Sequence, residues 1–291
     1  MVVNLKVSYE CAPCFLRQAR EALDLSIDDE KLKIELMSDV FKFLAETYGE
    51  NCSSNKTGSL IHRMIKEKTG IKDPYIEEKI MGNNIALKYL PTVQELLEKE
   101  ENLENYVKMA ILGNILDFGA FELGTDFDKL ITEKLNCDLA INHTDLLEND
   151  LKKHKNLLYL VDNTGEIVFD RLFIKKIKEY NIDITIAVKE NPILNDACLK
   201  DALKTGLDEF GEIISIGTDT VGVVYSEISK EFKCIFDNAD FIISKGMGNY
   251  EGLTEIDLEN KDVYFLLCAK CTVVSKNLNI NLHDMAILKG D

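Results

Sequence analysis

The chain has 291 residues, 46% of them hydrophobic, with 34 Lys and Arg against 51 Asp and Glu and a formal net charge of −17. That length buries a substantial core, enough for one large or two ordinary domains. The acidic balance argues against nucleic-acid and anionic-membrane partners, which need clustered Lys and Arg.

Helices come first. Asp28 and Asp29 can cap a segment in which Leu32, Leu36, Val40, Phe43 and Leu44 recur at helical spacing, with Gly49 after Tyr48 as a stop. A second helix carries Leu60, Ile61, Met64 and Ile65 and ends near Gly70; Asp73-Pro74 then opens another, since Pro suits a first helical turn. Pro91 predicts a break in that helix, and Leu103 to Phe121 gives a further apolar one.

The rhythm changes after His154. Leu157–Val161 is a short apolar run of strand type, followed by the turn Asp162–Gly165 and an amphipathic helix through Lys178. Asp183–Val188, Glu212–Ile216 and Asp240–Ser244 repeat the pattern, and Val263–Leu267 and Val273–Val274 add candidate strands. Strands alternating with helices predict a parallel sheet covered on both faces. The expected fold class is α/β: an all-helical N-terminal part over residues 1–150 packed on a doubly wound α/β/α part over 151–291, with the boundary around residues 140–155.

Ligands of open parallel sheets bind beyond the carboxyl ends of the strands, so the residues that follow each strand matter most. These are Asp162-Asn163-Thr164-Gly165-Glu166, then Lys189 to Asp196, then Gly217 to Gly222, then Lys245 to Gly252. Asp162, Asn163 and Asp196 form a hard oxygen set suited to one divalent cation, Mg²⁺, Mn²⁺, Co²⁺ or Ni²⁺. Two carboxylates neutralise one divalent ion, so a phosphate dianion needs a further cation, and Lys245 is the candidate. The screening length of about 8 Å in physiological salt lets such a local cation act in an acidic protein. Gly246 and Gly248 would let backbone N–H groups approach phosphate oxygens, with Glu166, Asn195 and Asn249 as neighbouring substrate contacts. The plainer reading of the first segment is a helix cap, and of the last a glycine-rich turn. The Lys precedes the glycines, so this is no Walker loop, and no G-x-G-x-x-G follows the first strand.

Cysteine gives a second signal. Cys11-x-x-Cys14 and Cys268-x-x-Cys271 could assemble a four-thiolate zinc site if the ends of the chain meet, although the second pair lies in an apolar run where Cys is ordinary core. The start of the chain lacks a secretory pattern, and no apolar stretch approaches the roughly 20 residues that span a bilayer. A cytoplasmic setting with reduced thiols is therefore expected.

The sequence resembles the damage-control phosphatase family, also known as the DUF89 family. The similarity runs through CAPCFLRQA (Cys11–Ala19), IHRMIKEKTGIKDPY (Ile61–Tyr75), GNILDFGA (Gly113–Ala120), DNTGEIVFD (Asp162–Asp170), PILNDA (Pro192–Ala197) and SKGMGNYEGL (Ser244–Leu253). The C-x-x-C start points to its microbial branch. The resemblance implies metal-dependent hydrolysis of a small phosphorylated metabolite, with Asp162, Asn163 and Asp196 as metal ligands and Lys245 on the phosphate. It also implies that Asn114 and Asp117 face the same cleft. Attack by activated water is expected, with an aspartyl-phosphate on Asp162 or Asp196 as the alternative. The competing functions are an S-adenosylmethionine-dependent carboxyl methyltransferase and a non-enzymatic, zinc-stabilised binding protein. Substrate, preferred metal and oligomeric state are left open.

Overall fold

A computed structural model describes residues 5–113, 127–258 and 260–290. Five helices lead: α1 (Cys11–Ser26), α2 (Glu30–Thr47), α3 (Ser54–Thr69), α4 (Ile76–Lys99) and α5 (Leu103–Leu112). Asp29 caps α2, its Oδ1 accepting from the N–H groups of Lys31 and Leu32, and Ser53 caps α3, which ends at left-handed Gly70. Pro91 does not break α4; it lies on the exposed face, where water can take the carbonyl that a missing N–H frees.

The remainder alternates: α6 (Phe127–Leu135), β1 (Ile141–Asn142), α7 (Thr144–Lys153), β2 (Asn156–Leu160), α8 (Glu166–Lys178), β3 (Asp183–Val188), α9 (Leu199–Lys204), β4 (Glu212–Ser215), α10 (Lys230–Asn238), β5 (Phe241–Lys245), α11 (Gly246–Leu253), β6 (Asp262–Cys268), α12 (Thr272–Leu278) and β7 (Met285–Lys289). The sheet order is β1-β7-β6-β5-β2-β3-β4. All neighbours are parallel except β6 and β7. The α/β reading holds, but Val273 and Val274 are not a strand. Cys271 caps a helix there through its Sγ, and Asn279 closes it in the left-handed region.

Both faces of the sheet are covered. One core joins α4, α5 and α8 to the sheet through Val107, Ile111, Phe169, Phe173, Tyr159 and Ile243. The other packs α10 and α11 beneath Ile242, Phe265 and Leu267. A separate cluster, built on Phe15, Ala19, Val40, Ile61 and Ile65, holds α1 to α2 and α3.

Two polar clusters lock the sheet. At the carboxyl end of β5, the Lys245 ammonium is wholly buried and donates to Ala110 O (2.8 Å), Glu166 Oε1 (2.6 Å) and Asp170 Oδ1 (2.7 Å). Tyr159 Oη donates to the same Asp170 oxygen at 2.8 Å. Burial pushes the Asp170 carboxyl up to about 6 against the pull of Lys245. At the amino end of β6, Asp262 accepts from Lys289 (2.7 Å), His154 Nε2 (2.7 Å) and Lys153 (3.1 Å), while Asp150 accepts from Lys289 (2.6 Å) and Tyr264 (2.7 Å). Partial burial opposes ionisation of Asp262, but these donors outweigh it and hold its carboxyl well below the usual range.

Removing one partner of a buried ion group strands the others. Lys245→Met should therefore lower unfolding free energy by about 3–5 kcal/mol in urea melts of metal-free protein. Unchanged stability would mean that the ammonium is not enclosed as described. Asp262→Asn should cost about 1–2 kcal/mol at neutral pH. A depressed carboxylate stabilises above its unfolded value, about 3.9, and that contribution is lost as pH falls toward the folded value. The gap between wild-type and variant urea midpoints should thus close in acid; a pH-independent gap would contradict the assignment.

Candidate active site

Chain order in the sheet reverses between β2 and β5: the chain steps outward from β2 to β3 and β4, then returns to β5 on the other side. A crevice opens at such a switch point, beyond the strand ends. β2 delivers Asp162 and Asn163 there. The segment after β3 then loops back to the strand ends: Lys189 N–H donates to Ala197 O at 3.0 Å beside a parallel bridge between Lys189 and Cys198, while Ala197 N–H donates to Asp162 O and Thr164 N–H to Asn195 O, each at 2.9 Å. An isolated bridge pairs Asn163 with Asp196. Leu194 takes a φ of 46° to make the bend, a left-handed conformation that branched residues adopt at a cost.

This pairing gathers Asp162, Asn163 and Asp196. Asn163 Nδ2 donates to Asp162 Oδ2 at 2.9 Å, which leaves the amide oxygen as the candidate ligand atom. Asp196 is 4% exposed, and its Oδ2 makes no hydrogen bond; Lys189 Nζ stands 3.5 Å away while donating to Gly222 O at 2.7 Å. Burial pushes the Asp196 carboxyl up to about 6 although Lys189 pulls the other way. A buried carboxylate oxygen without a hydrogen bond, beside a second carboxylate and an amide, is the donor chemistry that a hard divalent cation satisfies. The residues present fit such an ion.

The wall behind Asp162 is shaped for close approach. Gly246 has a φ of 79°, and a Cβ there would lie 1.9 Å from Asp162 Oδ2, so only glycine fits. Asn249 is buried and donates to Val161 O (3.0 Å) and Lys245 O (2.9 Å), tying α11 to the end of β2. Asn83 Oδ1 receives Gly165 N–H at 2.7 Å.

A cleft of about 680 Å³ opens in front, lined by Asp162, Asn163, Asn195, Asp196 and Gly248. Cys11 and Cys14 line it as well. Lys245 departs from its expected place on the phosphate: all its described bonds go to protein oxygens inside the core, because two acidic side chains of α8 lie directly beneath it. Glu166, Gly246 and Asn249 likewise stand behind the cleft wall and are not among its lining residues. Asn114 and Asp117 lie outside the described residues. Cys268 is 1% exposed in the sheet core, whereas Cys271 reaches the cleft, so the four cysteines do not gather as one set.

The sequence reading missed Asn55, Ser54 and Glu251 in the lining. Asn55 Nδ2 donates to Gly248 O at 2.7 Å and Ser54 Oγ to Glu251 Oε2 at 2.6 Å, which seats α3 on α11. Helical periodicity marks apolar faces and carries no signal for such polar contacts.

Asp150, His154 and Asp262 also hold three ligand atoms within 4.8 Å of one another, at the opposite edge of the sheet. There Lys289 and Lys153 already compensate both carboxylates, so a divalent ion would have to displace ammonium groups. That cluster is better described as the clamp between α7, β6 and β7.

Known proteins resemble the chain over nearly its whole length. The chain is 40% identical over 292 residues to an uncharacterised protein of Methanocaldococcus jannaschii, covering 98% of this chain and 96% of that one. It is 36% identical to the damage-control phosphatase of Pyrococcus horikoshii, covering 95% of each. A protein of Archaeoglobus fulgidus, also named a damage-control phosphatase, is 33% identical, with 97% of this chain and 98% of that one covered. The crystal structure of a DUF89 family protein of P. horikoshii superposes with a TM-score of 0.89 at 34% identity, over 98% of this chain and 99% of the other. Residues 7–286 match the family described as the damage-control phosphatase ARMT1-like domain, and the chain belongs to that family.

Proposed function

We propose that this chain is a divalent-metal-dependent phosphomonoester hydrolase that acts on small phosphorylated metabolites at the β2–β5 cleft. The observation that carries the reading is the buried Asp196 oxygen without a hydrogen bond, paired across the fold-back with Asp162 and Asn163. The names of the P. horikoshii and A. fulgidus relatives support a phosphatase role.

Asp162, Asn163 and Asp196 would hold the metal. Bound there, a divalent ion supplies charge neutralisation for the phosphoryl group and lowers the pKa of an attacking water, and Mg²⁺, Mn²⁺, Co²⁺ and Ni²⁺ all suit oxygen donors. The protein does the rest. Lys189 adds the cation that the charge balance demands: two carboxylates, one ammonium and a divalent ion leave a net positive charge for a phosphate dianion. Met247 and Gly248, which line the cleft in the first turn of α11, offer backbone N–H groups at a helix N-terminus, the natural seat for phosphate oxygens. Lys245 acts from behind, fixing Glu166, whose Oε2 accepts the Asn163 N–H at 3.3 Å. Water attack is preferred over an aspartyl-phosphate because both aspartates would serve as ligands.

Methyl transfer finds less support. The turn after β2 contains one glycine, Gly165, and its N–H is taken by Asn83. Among the described residues no helix is long and apolar enough to cross a membrane.

Chelator-stripped protein should release phosphate from a chromogenic phosphomonoester or sugar phosphates only after a divalent metal is restored, and Asp162→Ala should lose that release while keeping the wild-type unfolding midpoint. Metal-independent turnover, or full activity in the variant, would falsify the reading. Gly246→Ala drives a methyl into Asp162, so it should weaken the activating metal's apparent affinity by about 10–100-fold, as disturbance of a supporting residue typically does. An unshifted metal-activation curve would show that the close approach is irrelevant to the site.

A further inference from the structure

The same cleft carries a second set of ligands with different chemistry. Cys11 and Cys14 stand in the first turn of α1, three residues apart and so on one helix face. Cys271 caps α12, and Lys276 of that helix pairs with Glu10 at 3.0 Å, which sets α12 beside the start of α1. All three cysteines line the cleft, together with Glu251.

We infer that Cys11, Cys14 and Cys271 form a soft-metal site, distinct from the oxygen site, that takes a thiolate-binding divalent cation of the zinc class. The three sulfurs already accept hydrogen bonds: Cys11 Sγ from Ser8 N–H (3.4 Å), Cys14 Sγ from Gln18 Nε2 (3.5 Å) and Arg17 Nη2 (3.7 Å), and Cys271 Sγ from Val274 N–H (3.4 Å). Donors of this kind orient a thiolate and offset its charge in metal sites. Burial is the first cause that raises the Cys11 and Cys271 thiols, and Glu251 and the neighbouring thiols raise them further.

The thiol set and the oxygen set would sort metals by softness, the first favouring zinc-like ions and the second magnesium- or manganese-like ions. Cys268 is enclosed in the sheet core, so the site has three thiolates, with its remaining position open to Glu251 or water. The three sulfurs do not all lie within 4.8 Å of one another. Zinc–sulfur bonds of about 2.3 Å therefore require the thiols to turn from their present hydrogen bonds toward a common point in the cleft.

The test uses the reduced, chelator-stripped full chain titrated with Co²⁺ and then Zn²⁺. Binding should produce thiolate-to-cobalt charge-transfer absorption that Zn²⁺ bleaches. The band should persist in Asp162→Ala and vanish in Cys14→Ala and Cys271→Ala. In the wild-type chain, Zn²⁺ should protect Cys11, Cys14 and Cys271 from alkylation, read peptide by peptide, and leave exposed Cys137 reactive. Absence of the band, its survival in Cys271→Ala, or equal alkylation with and without zinc would overturn the assignment. The alkylation arm needs no variant to fold, and no arm depends on phosphatase activity.

Discussion

The site depends on one buried ammonium. Lys245 ends β5 at the switch point and binds a carbonyl of α5 and two carboxylates of α8, so it joins the sheet to two of the helices that cover this face. Glu166 is thereby held where its other oxygen meets the backbone of Asn163. The next residue, Gly246, presses against Asp162 with no side chain between. The position of the metal-ligand candidates is therefore set by packing and by a wholly desolvated ion group, not by loop length. Such a group stabilises little compared with an apolar core, yet it punishes any misplacement, which is what a preorganised site requires.

Charge tells the same story on a smaller scale. On the proposed reading, a chain of net charge −17 binds an anion by placing few cations well. Lys189 stands beside Asp196 and hydrogen-bonds the Gly222 carbonyl, so it cannot swing into solvent without leaving an acceptor behind. The other acidic cluster, around Asp262 and Asp150, is filled by lysines and serves the opposite edge of the sheet. The clusters differ in how fully their carboxylates are compensated: Lys289, Lys153 and His154 crowd Asp150 and Asp262, whereas Asp196 has Lys189 at 3.5 Å and an Oδ2 without a hydrogen bond.

Much of this was legible in the residues. The apolar runs that became β2, β3, β5 and β6 are continuous, as parallel strands buried on both faces must be, and the polar residues after them fall at one edge. Asp162 could be placed because it follows a strand directly, whereas Asp196 lies well beyond the end of β3 and reaches Asn163 only through the fold-back. Lys245 was misplaced because a lysine at a strand end can face the ligand or the core, and only the acidic residues of α8 decide which. Val273-Val274 read as strand because two β-branched residues carry β preference, while the Cys271 cap that starts a helix there is a weaker and rarer signal. Lys289 and the short antiparallel β7 were missed for want of an alternating pattern. Cys268 and Cys271 look equivalent in sequence, yet one ends a buried strand and the other begins the loop beyond it.

The most direct measurement is anomalous scattering from a crystal soaked in Mn²⁺, which locates the ion without reference to turnover. The account predicts a peak bounded by Asp162, Asn163 and Asp196, beside Lys189. A peak instead among Asp150, His154 and Asp262, with the β2–β5 crevice empty, would contradict it.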